Sequence, residues 1–389
     1  MNGAMAGRHL VRIILAVLAL QALFFKAGAD FQSFYRAGLH LLYYEPLYRL
    51  NEDIPFVYLP VVAQWLVPWS LLPQQLAHIL WVIAAAAAFA VFFERSAREA
   101  TLQNSWQACL FGFALVLPFV AQELALGQSN TFLLLAMSQS EAWRRKRPAP
   151  SALLWAMACI VKPPYLLFAL PALAWREWRR LGFLVVGILV VLALGALSFG
   201  SSYLGQFVAW QQFISIVVPP EMCVPDNQSL FAIFCTYLIS PHARSFAVGV
   251  AAGGFALIGA GTIAVGRLRA SDEGQARFLA TGLAFYATAL LSPTGWQTNL
   301  ISLVPVVFFL IAQARTPMSA VARPLAFVAL GLLAAADLLN YQTLGRVNFQ
   351  RVLLHRHYGI AALVAAILAC VIAWMMPTRW PRTQLSRNR

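Results

Sequence analysis

The residues able to do chemistry are few and widely spaced. Asp30 stands in "GADFQSFYRAG" (28–38), directly after the apolar stretch 9–27. Lys162 interrupts another apolar run and is followed at once by Pro163 and Pro164. Arg346, Arg351, His355, Arg356 and His357 crowd into "RVNFQRVLLHRHYG" (346–359). A carboxylate can take a proton from a hydroxyl, and ammonium or guanidinium groups can hold a phosphate. Amides and aromatics add recognition: Gln128 and Asn130 in "LGQSN", Asn227 and Gln228 in "PDNQSL", Trp296 and Gln297 in "LSPTGWQTN", Tyr58 in "PFVYLP". Other chemistries lack their residues. There is no Walker loop, no HExxH and no nucleophile elbow. His355 and His357 are two positions apart, so on a helix they point apart and make a poor metal pair. No metal and no cofactor is expected.

The elements that must position these groups follow from composition. The chain has 389 residues, 61% of them hydrophobic and only 11% charged, with mean hydropathy +0.70. Soluble domains carry about 25% charged residues, so this is a polytopic, all-α membrane protein. The net charge of +14 would suit nucleic acid, but its distribution does not. The basic clusters "RRKR" (144–147), "WREWRR" (175–180), "GRLR" (266–269) and the tail are short and separated by apolar runs. Placed so, they mark cytoplasmic loops at a negative inner leaflet. Cys109, Cys159, Cys223, Cys235 and Cys370 show no CxxC spacing. Cys223 and Cys235 either pair outside the membrane or stay free.

Runs of about 20 apolar residues signal spans. They lie near 9–27, 75–93, 105–121, 128–143, 181–199, 245–267, 276–292, 297–314, 322–338 and 357–376, with two shorter halves, 149–161 and 164–174, meeting at Lys162. Segment 59–72 is short and broken by Pro60 and Pro68; reading it as re-entrant keeps the basic clusters on one side. Twelve crossings result, with both termini cytoplasmic, one membrane domain over 1–378 and a basic tail at 379–389. The polar residues then gather outside, in loops 28–74, 200–244 and 339–356.

Phe31, Phe34 or Tyr35, Leu39 and Leu42 follow helical spacing, so 31–43 is expected as an amphipathic interfacial helix. Its other face repeats Gln32, Arg36 and His40, and Asp30 opens it. Asp30 is then either a solvated cap or a base held over that polar face. Lys162 either snorkels or serves as a functional ionisable group. The 346–359 arginines bind either the lipid surface or a phosphate. Asn227-Gln228-Ser229 also fits an N-glycosylation pattern.

The order of "DFQSFYRAG", "PFVYLPVVAQWLVPWSLLP", "GQSN", "CIVKPPYLL", "NQSL" and "SPTGW" over residues 28–300 resembles glycosyltransferase family 87 of the GT-C superfamily. That resemblance implies a GT-C-type fold, a polyprenyl-phosphate sugar donor with mannose favoured, a glycolipid or glycan acceptor and an extracytoplasmic active site in a bacterial inner membrane. It implies Asp30 as the base of an inverting transfer. Lys162, Arg351, His355 and His357 would hold the donor phosphate. Tyr35, Arg36, Tyr58, Gln128, Asn130, Asn227, Gln228, Trp296 and Gln297 would line the substrate pocket. One departure stands out: after "SPTGW" the family usually shows an acid and one or two histidines, and this chain has Gln297, Thr298 and Asn299. His355 or His357 would have to replace the missing histidine. The alternatives are a transporter of lipid-linked sugars and a GT-C transferase with another lipid-linked donor.

Overall fold

The computed structural model of the protein describes residues 3–24, 28–237, 261, 273–317 and 319–375. The expected tail, most of the expected span 245–267 and the end of loop 200–244 lie outside the described residues. Among the described residues there is no strand, and one isolated backbone bridge joins Asn227 to Trp296. The chain begins with α1 (Gly3–Phe24), α2 (Ala29–Leu42), α3 (Pro60–Ser70), α4 (Gln74–Glu99), α5 (Trp106–Ala114) and α6 (Leu117–Leu126). It continues with α7 (Asn130–Trp143), α8 (Pro148–Val161), α9 (Ala169–Ala174), α10 (Trp178–Phe199), α11 (Tyr203–Glu221) and α12 (Leu230–Tyr237). The last described helices are α13 (Glu273–Leu290), α14 (Val304–Arg315), α15 (Ala322–Leu338), α16 (Tyr341–Leu354) and α17 (His357–Met375). Short 3-10 helices occupy Pro163–Phe168 and Gln297–Leu303.

Four of these runs are long and apolar enough to cross a bilayer: Gln74–Glu99, Trp178–Leu197, Gln297–Arg315 and His357–Met375. Two bent pairs, α5 with α6 (59°) and α15 with α16 (112°), raise the number to six if each is one broken span. The protein is therefore a multi-pass membrane protein with four to six apolar spans among the described residues. The twelve expected from hydropathy include helices too short to cross alone. α7 and α8 have 14 residues each, about 21 Å against a hydrocarbon core of about 30 Å. The breaks have local causes. Lys162 precedes a proline, which disfavours the helical region, and it adopts an extended conformation that ends α8 (φ −136°, ψ 100°). α3 has only 11 residues, so segment 59–72 does not span as a helix.

Residues Gln297–Ala314 are all buried, so this run stands inside the helical assembly and not at its lipid surface. α10 is the opposite case: Val185, Val186, Leu189, Val190 and Leu194 are exposed, a broad face fit for lipid.

α2 differs from expectation. Its amphipathic pattern is real, but it does not lie open along a surface. Phe31, Phe34 and Ala37 are buried with Val61, Val62 and Leu66 of α3 and with Trp81 of α4, so α2 and α3 form a hairpin. Its polar side is braced by the intervening loop. Arg36 Nη2 donates to the Ile54 carbonyl at 3.0 Å, and His40 Nε2 lies 3.4 Å from Glu52. An apolar stripe identifies a buried face; it does not say whether lipid or protein covers it.

Candidate active site

Asp30 owes its position to two glycines. Gly28 caps α2, and Asp30 lies in the first turn, where the helix dipole favours a negative charge. Gly127 ends α6 in the left-handed conformation (φ 68°) that glycine adopts without strain. A Cβ on Gly28 would lie 2.4 Å from the Leu126 carbonyl carbon, and one on Gly127 would lie 2.6 Å from Phe31 Cβ. Only glycine at both places lets the start of α2 press against the turn that carries Gln128.

The contact builds a polar network in an otherwise apolar interior. The Gln128 side chain hydrogen-bonds Asp30, and its Oε1 accepts from Asn130 Nδ2 at 2.7 Å and from Thr298 Oγ1 at 2.8 Å. Asn130 Nδ2 also donates to Glu123 Oε2 at 2.8 Å, while Glu123 Oε1 accepts from the Thr131 amide at 3.1 Å. Lys162 Nζ donates to Asn130 Oδ1 and, at 3.1 Å, to Asn299 Oδ1. An ammonium has three donors, so two are used and one is left for a ligand. Four distant stretches thus meet: the start of α2, the end of α6 with the turn after it, the α8 break, and the 3-10 helix at 297–303.

Burial pushes the Asp30 carboxyl above its usual range, and the Gln128 hydrogen bond and the Lys162 charge oppose that rise. A carboxyl of raised basicity beside a cation that favours its charged form matches the task of accepting a proton near neutral pH.

Two cavities adjoin the network. A groove of about 280 Å³ is lined by Tyr58, Trp65, Trp69, Trp81, Phe132 and Met157 among others, with Ser129 and Val161 at its wall. Tyr58 lies within electrostatic reach of Asp30, and Val161 directly precedes Lys162. The groove is almost wholly apolar and aromatic. The second cavity, about 730 Å³, runs between α1, α6 and α16 and presents Gln122, Asp226, Gln297, Arg346 and Gln350.

The other sequence-derived candidates fall elsewhere. Tyr35 Oη donates to the Leu72 carbonyl at 2.9 Å and, like Arg36, ties the α2–α3 hairpin together. Asn227 is fully buried. Its Nδ2 donates to the carbonyls of Glu221, Met222 and Pro293, and its Oδ1 accepts from the Ser229 and Gly295 amides. That side chain joins two loops and has no atom open to a sugar or to glycosylation. Gln228 is spent likewise, Nε2 on Pro225 and Oε1 on the Gly359 amide. Trp296 is half-buried at the head of the 3-10 helix. Gln297 lines the larger cavity against Asp226. Arg351 and His355 are exposed, and His357 packs beside Phe349 and Tyr358. Among the described residues no contact joins Arg351, His355 or His357 to the Asp30 network. Arg356, grouped with them by sequence, is instead buried and clamps the 223–227 loop through the carbonyls of Cys223, Val224 and Asn227. Cys223 and Cys235 form a disulfide across the same region.

Sequence reasoning missed Glu123, Thr298 and Asn299. Glu123 carried a usable signal: an acid inside an apolar segment is a functional candidate by default. In the sequence Thr298 and Asn299 show only as residues standing where the family has an acid and histidines, yet Asn299 holds Lys162. Among the described residues no three His, Cys, Asp or Glu side chains gather as metal ligands.

An all-helical multi-pass membrane protein with a carboxylate and an ammonium beside an apolar groove, at one break in its helices, has the layout of a membrane-embedded transferase. Residues 56–293, more than half of the chain, match glycosyltransferase family 87, and the chain belongs to that family. It is thus a membrane glycosyltransferase, consistent with the GT-C superfamily. The match starts at Phe56 and ends at Pro293, so Asp30, Thr298 and Asn299 lie outside it and their roles rest on geometry. A comparison with curated proteins and one with solved structures each returned no match.

Proposed function

We propose that the protein moves a hexose, mannose in the first instance, from a polyprenyl-phosphate donor to a hydroxyl of a lipid or glycan acceptor. The reaction takes place on the extracytoplasmic face of a bacterial inner membrane and inverts the anomeric centre. The observation that carries this reading is the meeting of Asp30 and Lys162, through Gln128 and Asn130, beside an apolar groove. The isoprenoid chain lies in the groove lined by Trp65, Trp69 and Trp81, which brings its phosphate toward Lys162. Asp30 takes the proton from the acceptor hydroxyl as its oxygen attacks the anomeric carbon. The bond from that carbon to the phosphate oxygen breaks, and the polyprenyl phosphate leaves with the electron pair. The remaining donor of Lys162 faces the developing negative charge, and such stabilisation is commonly a large part of catalysis.

The acceptor enters through the larger cavity, past Gln297 and Arg346. Arg351, His355 and His357 take no part in this scheme, and Asn227 and Gln228 act by holding the loop that ends at Gln297. In the membrane, the shorter apolar helices pair with the four to six longer spans to complete twelve crossings in one domain over 1–378. No step is assigned to a metal or cofactor.

The test is transfer by purified protein in nanodiscs, from polyprenyl-phosphate mannose to a mixed glycolipid extract, with the product's anomeric configuration read by NMR. The expected result is a labelled product of inverted configuration. A retained configuration, or turnover with nucleotide sugars and none with any polyprenyl-phosphate sugar, would overturn the reading.

A further inference from the structure

The helices that carry the Asp30 network converge again at their other ends. α7 runs from Asn130 in that network to Trp143, and α8 returns from Pro148 to Lys162; each is 14 residues, so the two ends stand about 20 Å apart. At the far end, α7, α8, α13 and the α9–α10 junction enclose a charged cluster. Arg180 pairs with Glu141 at 2.6 Å and with Glu177 at 2.9 Å. Arg277 pairs with Glu177 and, at 3.4 Å, with Glu141, and Arg144 lies 3.6 Å from Glu177. Three arginines therefore share two carboxylates.

The pairing leaves donors over. Arg277 is 5% exposed, and all its polar contacts run through Nη2; Nε and Nη1 are buried without a hydrogen-bond acceptor. Nε of Arg180 is likewise unfilled, and Nε of Arg144 has only its 3.6 Å ion-pair contact with Glu177 and no hydrogen bond. Buried charged donors without acceptors are costly, and their usual remedy is an anion with several oxygens. The space for one is present. Arg144, Arg180 and Arg277 line a cavity of about 490 Å³, with Arg145, Arg176 and Arg179 at its rim. Glu177 and Glu273 are the acidic residues of that lining, so positive charge is in clear excess. Cavities of about 300–1,000 Å³ are typical of small-ligand sites.

The surroundings name the class of anion. Trp178 is 63% exposed at the mouth, and α10 continues from it into its lipid-facing stripe. Tryptophan and arginine at the end of an apolar span mark headgroup depth. Among the described residues Arg176 and Arg179 pair with no carboxylate, and the Arg179 guanidinium lies over the Phe183 ring, 5.7 Å from its centroid. We propose that this pocket is a phosphoanion site that takes the headgroup of an acidic phospholipid from the leaflet opposite Asp30. The phosphate oxygens meet the guanidinium groups of Arg144 and Arg277 in the cavity lining, while Arg176 and Arg179 guide the headgroup at the rim. The site is independent of the sugar-transfer reading.

The experiment compares wild type, the rim variant Arg176→Gln/Arg179→Gln and Arg277→Lys in two arms. In the first, protein taken from mixed phosphatidylglycerol and phosphatidylcholine nanodiscs is analysed for retained lipid by native mass spectrometry. In the second, inorganic pyrophosphate is titrated against thermal unfolding in lipid-free detergent. Wild type should retain phosphatidylglycerol at least tenfold over phosphatidylcholine, and both variants should lose most of that preference. The rim variant should keep its unfolding temperature in pure phosphatidylcholine, so the test stands even if Arg277→Lys folds poorly. Pyrophosphate stabilisation that the variants lose, without lipid preference, would make a soluble phosphate the occupant of the same site. If neither anion separates wild type from the rim variant, the cluster only ties helices together and the proposal is wrong.

Discussion

Replacing Gly28 by alanine tests how Asp30 is held. The backbone at Gly28 (φ −52°, ψ 145°) is open to alanine, so the change acts through space alone. Its Cβ would sit 2.4 Å from Leu126 C and O and 2.7 Å from Ala125 O. Ordinary contact begins near 3.4 Å, and these three atoms are backbone, which cannot swing aside. The start of α2 must therefore retreat by about 1 Å, taking Asp30 from Gln128. A misplacement of about 1 Å can cost about 10²-fold in rate, or about 2.7 kcal/mol of barrier. Overpacking should remove about 1–3 kcal/mol of stability as well. The assay is sugar transfer at saturating donor together with a thermal unfolding curve, for Gly28→Ala and for Gly182→Ala as control. Gly182 has nothing within 4 Å of its would-be Cβ, so its alanine should leave activity unchanged. If Gly28→Ala is as active and as stable as wild type, the close approach of α2 to the Gln128 turn does not position the base.

Glu123→Gln puts an amide N–H where either Asn130 or the Thr131 amide needs an acceptor, so it should cost about 1–3 kcal/mol and lower the unfolding midpoint; an unchanged midpoint would count against the network as drawn. Lys162→Met removes the cation that favours ionised Asp30, so the Asp30 pKa should rise further and the acid limb of kcat/KM should move to higher pH. A limb that stays or moves down would separate Lys162 from Asp30. The Cys223–Cys235 bond spans 12 positions, and Cys223→Ser should cost about 3 kcal/mol. Reductant should reproduce that loss in wild type and add nothing to the variant.

Much of the site was legible in the sequence because unusual residues in apolar surroundings are expensive and therefore stand out. Asp30, Gln128, Asn130 and Lys162 were found that way, and the structure brings them together. Glu123 obeys the same logic, as an acid inside an apolar segment. Asn227 misled because its position in an ordered motif does not reveal whether its amide faces a ligand or, as here, five backbone groups. The 346–359 arginines show the same limit: Arg346 lines a cavity, Arg356 turns inward to hold carbonyls, and Arg351 is exposed. Helical spacing cannot choose among these without knowing what packs against the helix. The α2 stripe is a third instance, legible as amphipathic but not as half of a hairpin with α3. Hydropathy locates apolar runs and not helix lengths: among the described residues four to six segments are long enough to cross, and Lys162 with the prolines after it ends α8 at 14 residues.

The most direct measurement is transfer from polyprenyl-phosphate mannose by wild type, Asp30→Asn and Asp30→Glu, each first shown to have the wild-type unfolding midpoint. Removal of a general base lowers rates by about 10²–10⁴-fold. The account predicts a loss of that size in Asp30→Asn, with donor binding retained, and partial activity in Asp30→Glu. Turnover by Asp30→Asn within threefold of wild type would contradict it.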